Sequence, residues 1–162
     1  MKRLLVVSDS HTYLPGLERI LDASVKKYGP PDAVLHCGDG ARDLLRLEEK
    51  IRAVNPDALL FAVRGNCDGD GCADIPFERV VELEGARIFM THGHRLAVKS
   101  TIWVLDDAAR ERNCAIALFG HTHVPFMQMG SVLMLNPGCA HMGQYLSMEV
   151  RDGKPRIHLD HL

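Results

Sequence analysis

Short apolar runs alternate with segments of helical periodicity over the first 63 residues, and this alternation constrains the fold more than any other feature of the sequence. The apolar runs have the length of buried strands, and the segments between them place apolar residues three or four positions apart, as amphipathic helices do. Strands that alternate with helices predict parallel pairing, with helices covering the sheet. The predicted strands are Lys2 to Ser8, Ala33 to His36 and Leu59 to Val63, and the predicted helices cover Leu14 to Val25 and Ala41 to Val54.

The rhythm changes after Gly71, where two β-rich runs joined by Glu84-Gly85-Ala86 predict a hairpin. Short strands separated by turn residues follow from Val124 onward. The second half is therefore expected to be mostly antiparallel, with two stacked sheets and outer helices. Because no linker, repeat or low-complexity segment divides the chain, we predict one domain over residues 1–162. The remaining predicted elements are the strands Phe77 to Leu83, Arg87 to Thr91 and Ala115 to Phe119 and the helix Thr101 to Arg112.

Charge and composition exclude several classes of protein. Nineteen Lys and Arg face 21 Asp and Glu, and a net charge of -2 provides no basic field for extended nucleic-acid binding. The first apolar run is broken at Ser8 and Asp9, and no window reaches the roughly 18 apolar residues of a membrane span. Five scattered cysteines without a CxxC pair are typical of reduced thiols. We therefore expect a cytoplasmic protein without a membrane partner, and homo-oligomer formation stays open.

Polar clusters follow the predicted strands, each at the point where its strand ends. Because the carboxyl ends of parallel strands share one edge of a sheet, ligands bind in the crevice outside them, and these clusters should converge there. Among their side chains are the carboxylates of Asp9 and Asp39, one amide and several imidazoles, which meet at one rim. The clusters are Ser8-Asp9-Ser10-His11, Cys37-Gly38-Asp39, Gly65-Asn66-Cys67-Asp68, His92-Gly93-His94 and Gly120-His121-Thr122-His123.

Imidazoles combined with carboxylate oxygens form the donor set of a transition metal, whereas magnesium and calcium prefer oxygen alone. In Asp9-x-His11 and His121-x-His123, alternate side chains of an extended segment lie on the same side, so each pair can face a common centre. A single Asp or His at a strand end is most often a cap or a solvated residue. Five such clusters in series favour a metal centre instead.

The five blocks, in this order, resemble the calcineurin-like metallophosphoesterases, and the Gly65-Asn66-Cys67-Asp68 form is most similar to the small bacterial and archaeal phosphodiesterases. The resemblance implies an α/β, four-layer sandwich of two mixed β-sheets flanked by helices. It also implies two divalent transition-metal ions, Mn before Ni, Fe, Co or Zn, and hydrolysis of a small phosphate ester by a metal-bridging hydroxide. The implied ligands are Asp9, His11 and His123 for one metal and Asn66, His92 and His121 for the other, with Asp39 bridging.

One departure from the family pattern affects the mechanism. Many members carry a His directly after the ligand Asn66, where it acts as general acid, but this chain has Cys67. A neutral thiol matches proton delivery near pH 7 less well than an imidazole does. His94 is the substitute, either as the acid or as a group that orients a ligand. Asp68 is expected to cap a turn or pair with a base, and Arg64 to contact phosphate or form a surface ion pair.

The expected activity is that of a phosphodiesterase, with Asp39, Asn66 and His94 at the reaction centre. A phosphomonoesterase or nucleotide-directed phosphatase remains an alternative, because 162 residues leave no long inserted lid that would indicate a substrate. A non-catalytic scaffold is the other alternative, since the small retromer subunit has the same fold but lacks some of the ligands. Every ligand position is filled in this sequence, which favours the enzyme.

Overall fold

Ten strands and four helices make up the chain, which a computed structural model describes over residues 1–162. The alternation predicted for the first third and the hairpin after Gly71 are both confirmed. None of the helices is long and apolar enough to cross a membrane. In chain order the elements are β1 (Lys2–Val7), α1 (Leu14–Tyr28), β2 (Ala33–His36), α2 (Asp43–Arg46), α3 (Glu48–Val54), β3 (Leu59–Ala62), β4 (Glu78–Leu83), β5 (Ala86–Thr91), α4 (Trp103–Glu111), β6 (Ile116–Leu118), β7 (Phe126–Gln128), β8 (Leu133–Asn136), β9 (Gln144–Arg151) and β10 (Lys154–His161).

The strands form two mixed sheets of five strands each, in the orders β10-β9-β1-β2-β3 and β4-β5-β6-β8-β7. Strands β1, β2 and β3 are parallel, and β9 and β10 extend that sheet in antiparallel pairing. In the second sheet β6 pairs in parallel with β5 and β8, while β4 and β7 form antiparallel edges. Four of the six ladders that involve strands after Gly71 are therefore antiparallel, and both sheets are mixed as expected.

The sheets pack face to face because alternate side chains of each strand lie on opposite faces. In β1, Leu4 and Val6 belong to the core between the sheets, whereas Leu5 and Val7 belong to the core under α1 and α3. In β5, Phe89 points the other way from Ile88 and packs in the core under α4. The fold therefore has four layers, in the order helices, sheet, sheet and helix, with a hydrophobic core between each adjacent pair.

The predicted helix from Ala41 to Val54 is wrong in its extent: it is two short helices, α2 and α3, separated by Leu47. Leu47 keeps a helical φ of -81° and is buried, so the apolar face continues through the break. The helical segment begins at Asp43 rather than at Ala41, because the Asp68 carboxylate accepts hydrogen bonds from the N–H groups of Gly40 and Ala41 in a turn. The periodicity identified the buried face, and the turn decided where the helix begins.

Candidate metal centre

The carboxyl ends of the parallel strands of both sheets meet at one edge of the sandwich. Within the first sheet the N–H of Asp9 donates to the carbonyl of Gly38 at 2.9 Å, which joins the ends of β1 and β2. Between the sheets, Nδ1 of His92 lies 2.7 Å from the carbonyl of Cys37. The N–H of Gly120 donates to the carbonyl of His92 at 3.1 Å and joins the ends of β6 and β5. Five polar clusters from distant parts of the sequence thus line one rim.

Asp9, His11 and His123 form the first donor set, with ligand atoms within 4.8 Å of one another. Asp9 Oδ1 lies 3.0 Å from His123 Nε2, and the Nε2 atoms of His11 and His123 are 3.3 Å apart. Asp9 is fully buried, yet its Oδ1 has no hydrogen bond. A buried carboxylate oxygen without a partner is rare in proteins, and two imidazole nitrogens facing it complete a donor set that fits a divalent transition metal.

Asp39, His92 and His121 form the second donor set, again within 4.8 Å of one another. Asp39 Oδ2 lies 3.3 Å from His92 Nε2, and Asn66 Oδ1 lies 3.0 Å from the same nitrogen. The Asp39 carboxylate is also within 4.8 Å of the His11 ring nitrogen, so it lies between the two sets. All seven residues that the sequence singled out as ligands therefore face one region.

A left-handed backbone aims five of these side chains at the centre. Such φ values cost about 1–3 kcal/mol each in non-glycine residues and persist only where surrounding contacts hold them, often at functional sites. Ten non-glycine residues of the chain have positive φ, and half of them belong to the two donor sets. The five are Asp9 (55°), His11 (47°), Asp39 (55°), His121 (67°) and His123 (60°).

Two glycines leave room for the carboxylates. A Cβ at Gly65 would collide with Oδ1 of Asp39, and a Cβ at Gly120 would lie 2.7 Å from Oδ2 of Asp9 and still closer to the Ser8 hydroxyl. The backbone after β3 thus passes directly beside the carboxylate that follows β2, and the backbone after β6 passes beside the carboxylate that follows β1 of the other sheet. Only glycine permits this approach.

The charges of the site are strongly coupled. Burial by itself would raise the pKa of Asp39, but its hydrogen bond to His92 and the N–H of Cys67 hold that pKa well below its usual range. Burial would conversely lower the pKa of His92, and the carboxylates of Asp39 and Asp9 raise it instead. The two carboxylates therefore favour the protonated form of His92. Since Nδ1 of His92 faces the carbonyl of Cys37, this ring presents Nε2 to the centre, as a ligand must.

His94 lies beside the second donor set, with its ring centroid 5.5 Å from that of His92 and 6.2 Å from that of His121. Its Nδ1 is buried and has no hydrogen bond. Burial, and then the positive charge of His92, lower its pKa, and the same two causes lower the pKa of His121. Both rings are therefore neutral near pH 7.

Cys67 and Asp68 shape the loop that carries Asn66. The N–H of Cys67 donates to Asp39 Oδ1 at 2.7 Å, and its exposed thiol has a pKa raised by partial burial and by Asp39. Asp68 accepts four N–H groups, which confirms that it caps a turn. Arg64 makes no ion pair; its Nε donates to the carbonyl of Asp68 at 3.0 Å and its guanidinium covers Phe77. The surface ion pair considered for Arg64 is therefore wrong.

A buried network that sequence reasoning missed supports the Asp9 to His11 loop. The N–H of Gly38 donates to Nδ1 of His36 at 3.1 Å, so Nε2 of His36 carries the proton and donates to Ser10 Oγ at 2.9 Å. Ser10 in turn donates to Asp43 Oδ2 at 2.6 Å. Burial lowers the pKa of His36 to about 4, which keeps it neutral. A histidine ending an otherwise apolar buried strand was the available signal.

The chain is similar in sequence and in fold to known phosphoesterases. A calcineurin-like phosphoesterase superfamily domain matches residues 1–152. Phosphodiesterase YfcE of Escherichia coli K12 is 30% identical over an alignment of 159 positions that covers 85% of this chain and 79% of that protein. The crystal structure of a predicted phosphoesterase from Streptococcus pneumoniae TIGR4 superposes with a TM-score of 0.73 at 31% identity, covering 99% of this chain and 89% of the other.

The same fold occurs in a protein of a different description. Vps29 from Chaetomium thermophilum superposes with a TM-score of 0.71, covering 100% of this chain and 97% of the other, at 18% identity. That likeness establishes the four-layer architecture and nothing about activity. The choice between a phosphoesterase and a non-catalytic scaffold therefore depends on the residues at the rim and not on the fold.

Proposed function

The chain belongs to the calcineurin-like phosphoesterase superfamily and is a hydrolase of phosphoric esters, and on this basis we propose that it is a phosphodiesterase with a centre of two divalent transition-metal ions, manganese foremost among them. Asp9, His11 and His123 would hold one ion, and Asn66, His92 and His121 the other. Asp39 would bridge them, since its carboxylate lies between the two donor sets.

The observation that carries this proposal is the unpartnered Oδ1 of buried Asp9 facing two imidazole nitrogens. When bound, two divalent ions against two carboxylates supply a net positive charge for an anionic ester and activate a water molecule as nucleophile. No protein nucleophile is then needed. A scaffold would have no use for a complete set of seven ligands at one rim, five of them held in strained backbone.

The remaining side chains position the ligands. Asp68 fixes the turn that carries Asp39 through four N–H groups, and the chain from His36 through Ser10 to Asp43 fixes the loop that carries His11. These contacts hold the donors in place before an ion binds, which limits the reorganisation that binding requires.

Proton delivery to the leaving oxygen is the weak step of this site. His94 is an imidazole outside the ligand set that lies beside His92 and His121, and its lowered pKa leaves little of the protonated form near pH 7. Cys67 is exposed and neutral, and a thiol is a poor acid at that pH. We therefore propose that His94 assists departure only in part, so that good leaving groups react fastest.

The substrate class proposed is a small phosphate ester, without nucleic-acid polymers or membranes as partners. Five free cysteines support a reducing compartment such as the cytoplasm.

The test combines metal analysis with a panel of phosphate esters in added Mn²⁺. We expect two ions per chain and turnover of bis-(p-nitrophenyl) phosphate above that of p-nitrophenyl phosphate, lost with a chelator. His158→Ala is the matched control, because this histidine stacks on Tyr28 away from the donor sets. Preference for the monoester would support the phosphatase alternative. Two bound ions without turnover of any ester would support a scaffold.

A further inference from the structure

Cys67 is part of a third donor group that the seven ligands do not account for. Its Sγ, the His11 ring nitrogen and an Asp39 carboxylate oxygen all lie within 4.8 Å of one another. His11 belongs to the first donor set and Asp39 to the second, so the thiol stands beside both. The other four cysteines are buried, and only this one is exposed.

Two contacts place the thiol there. The N–H of Cys67 donates to Asp39 Oδ1 at 2.7 Å, which holds the residue against that carboxylate, and Asn66 Nδ2 lies 3.5 Å from Sγ. Independently, His11 Nε2 is 3.7 Å from the buried Asp9 Oδ1, which has no hydrogen bond. The group therefore shares His11 with the donor set that contains this unpartnered oxygen.

We propose that Cys67 Sγ is a ligand for thiophilic divalent ions such as Zn²⁺, Cd²⁺ and Co²⁺, which it binds as a thiolate together with His11 and Asp39, and that Mn²⁺ leaves it uncoordinated. The inference rests on the metal centre proposed above. On binding, one S–H bond is lost, one metal–sulfur bond forms, and the proton passes to solvent; no electron is transferred.

The chemistry of the donors supports this division between ions. Thiolate is a soft ligand that selects zinc and similar ions, whereas manganese prefers oxygen and imidazole. A metal–sulfur bond of about 2.3 Å is compatible with donors that start within 4.8 Å of one another. Because the thiol is exposed at the rim, it reaches a cation without rearrangement of the core.

Cobalt spectroscopy tests the proposal without relying on activity. The chelator-treated full chain is titrated with Co²⁺, and we expect the near-ultraviolet absorption of thiolate-to-cobalt charge transfer in the wild type. Cys67→Ser should abolish this absorption and keep the visible bands of bound cobalt. Cys72→Ser is the matched control and should keep both, because Cys72 is a buried cysteine of the same loop and lies outside the donor groups.

Affinity gives a second readout. Removing a residue that hydrogen-bonds to a metal ligand typically lowers metal affinity about 10–100-fold, so removing a ligand itself should lower the affinity at least as much. We therefore expect Cys67→Ser to weaken Cd²⁺ binding at least about tenfold and to leave Mn²⁺ binding unchanged, which also shows that the variant is folded.

The outcomes separate this proposal from the proposed function. Visible cobalt bands without charge transfer in the wild type overturn the role of Cys67 and leave the metal centre intact. Charge transfer that survives Cys67→Ser assigns the thiolate to another cysteine and also overturns it. If the wild-type chain binds neither Co²⁺ nor Mn²⁺, the proposed metal centre fails and this inference fails with it.

Discussion

Replacing Asp9 by Asn should stabilise the metal-free protein and remove the stabilisation that metal provides. Asp9 Oδ2 accepts hydrogen bonds from Ser8 Oγ at 2.6 Å and from the N–H of His121 at 3.1 Å, and an amide oxygen can accept both. Oδ1 is buried without a hydrogen bond, 3.0 Å from His123 Nε2. An amide nitrogen in its place can donate to that ring nitrogen, so the substitution removes a buried charge and adds a partner.

The size of the effect follows from that unsatisfied atom. A buried acceptor without a partner costs about 1–3 kcal/mol, and we expect the metal-free Asp9→Asn variant to be more stable by that amount. For a chain of this length the Tm should rise by roughly 2–12 °C. Added Mn²⁺ at about 100 times its Kd should stabilise the wild type by about 2.7 kcal/mol. The variant, which has lost a ligand charge, should gain much less.

Thermal unfolding followed by circular dichroism, in chelator and in Mn²⁺, measures both differences. Asp43→Asn is the matched control: Asp43 is also buried, but its Oδ2 accepts from Ser10 Oγ at 2.6 Å and from the N–H of Thr12 at 2.9 Å. An amide oxygen keeps both of these contacts, and the amide nitrogen loses only the contact of Oδ1 with the Arg46 guanidinium at 3.5 Å, so this variant should be no more stable than the wild type in chelator. If metal-free Asp9→Asn melts below the wild type, or if Mn²⁺ stabilises both equally, Asp9 is not the ligand described here.

Three further predictions address the bridge, the leaving group and a buried histidine. Asp39→Asn removes a charge that both ions share, so kcat/KM should fall by orders of magnitude with an unchanged circular dichroism spectrum; wild-type turnover at wild-type metal content would contradict bridging. Because the general acid is weak, aryl diesters should react much faster than alkyl diesters, and Cys67→His should raise the turnover of alkyl diesters selectively, by at most about 10²- to 10⁴-fold. A rate that does not depend on the leaving-group pKa, with chemistry rate-limiting, would show that another acid is present. If that dependence became steeper in His94→Ala, His94 would be the proton donor. Burial lowers the pKa of His36 from 6.5 to about 4, so between these pH values the unfolded chain binds a proton that the folded chain does not. The free energy of unfolding should therefore decrease as the pH falls from 6.5 to 4, by up to roughly 3 kcal/mol. Urea unfolding of His36→Gln should show a smaller decrease over the same pH range.

The convergence of the candidate donor residues at one rim was largely predictable from sequence. Strand ends are marked locally, by an apolar run followed by polar residues and glycine, and parallel strands must bring such ends to one edge. This reasoning brought Asp9, Asp39 and His121 to one rim although they are far apart in the chain. The network from His36 through Ser10 to Asp43 was not predictable, because each member has an ordinary local interpretation and only their 2.9 Å and 2.6 Å contacts reveal a function.

The sequence by itself determined the order of strands and helices, their buried faces and the donor types at the rim, since periodicity and chain-breaking residues act over a few positions. Only the tertiary structure decided that the chain leaves the second sheet after β8 and returns to the first as β9 and β10, and that β6 is parallel to both neighbours. Ladders are made by backbone groups that every residue except proline carries, so the choice of partner depends on packing between the two sheets. The left-handed backbone at the candidate donor residues has the same origin: it costs energy locally and is held by contacts from strands that meet only in the folded protein.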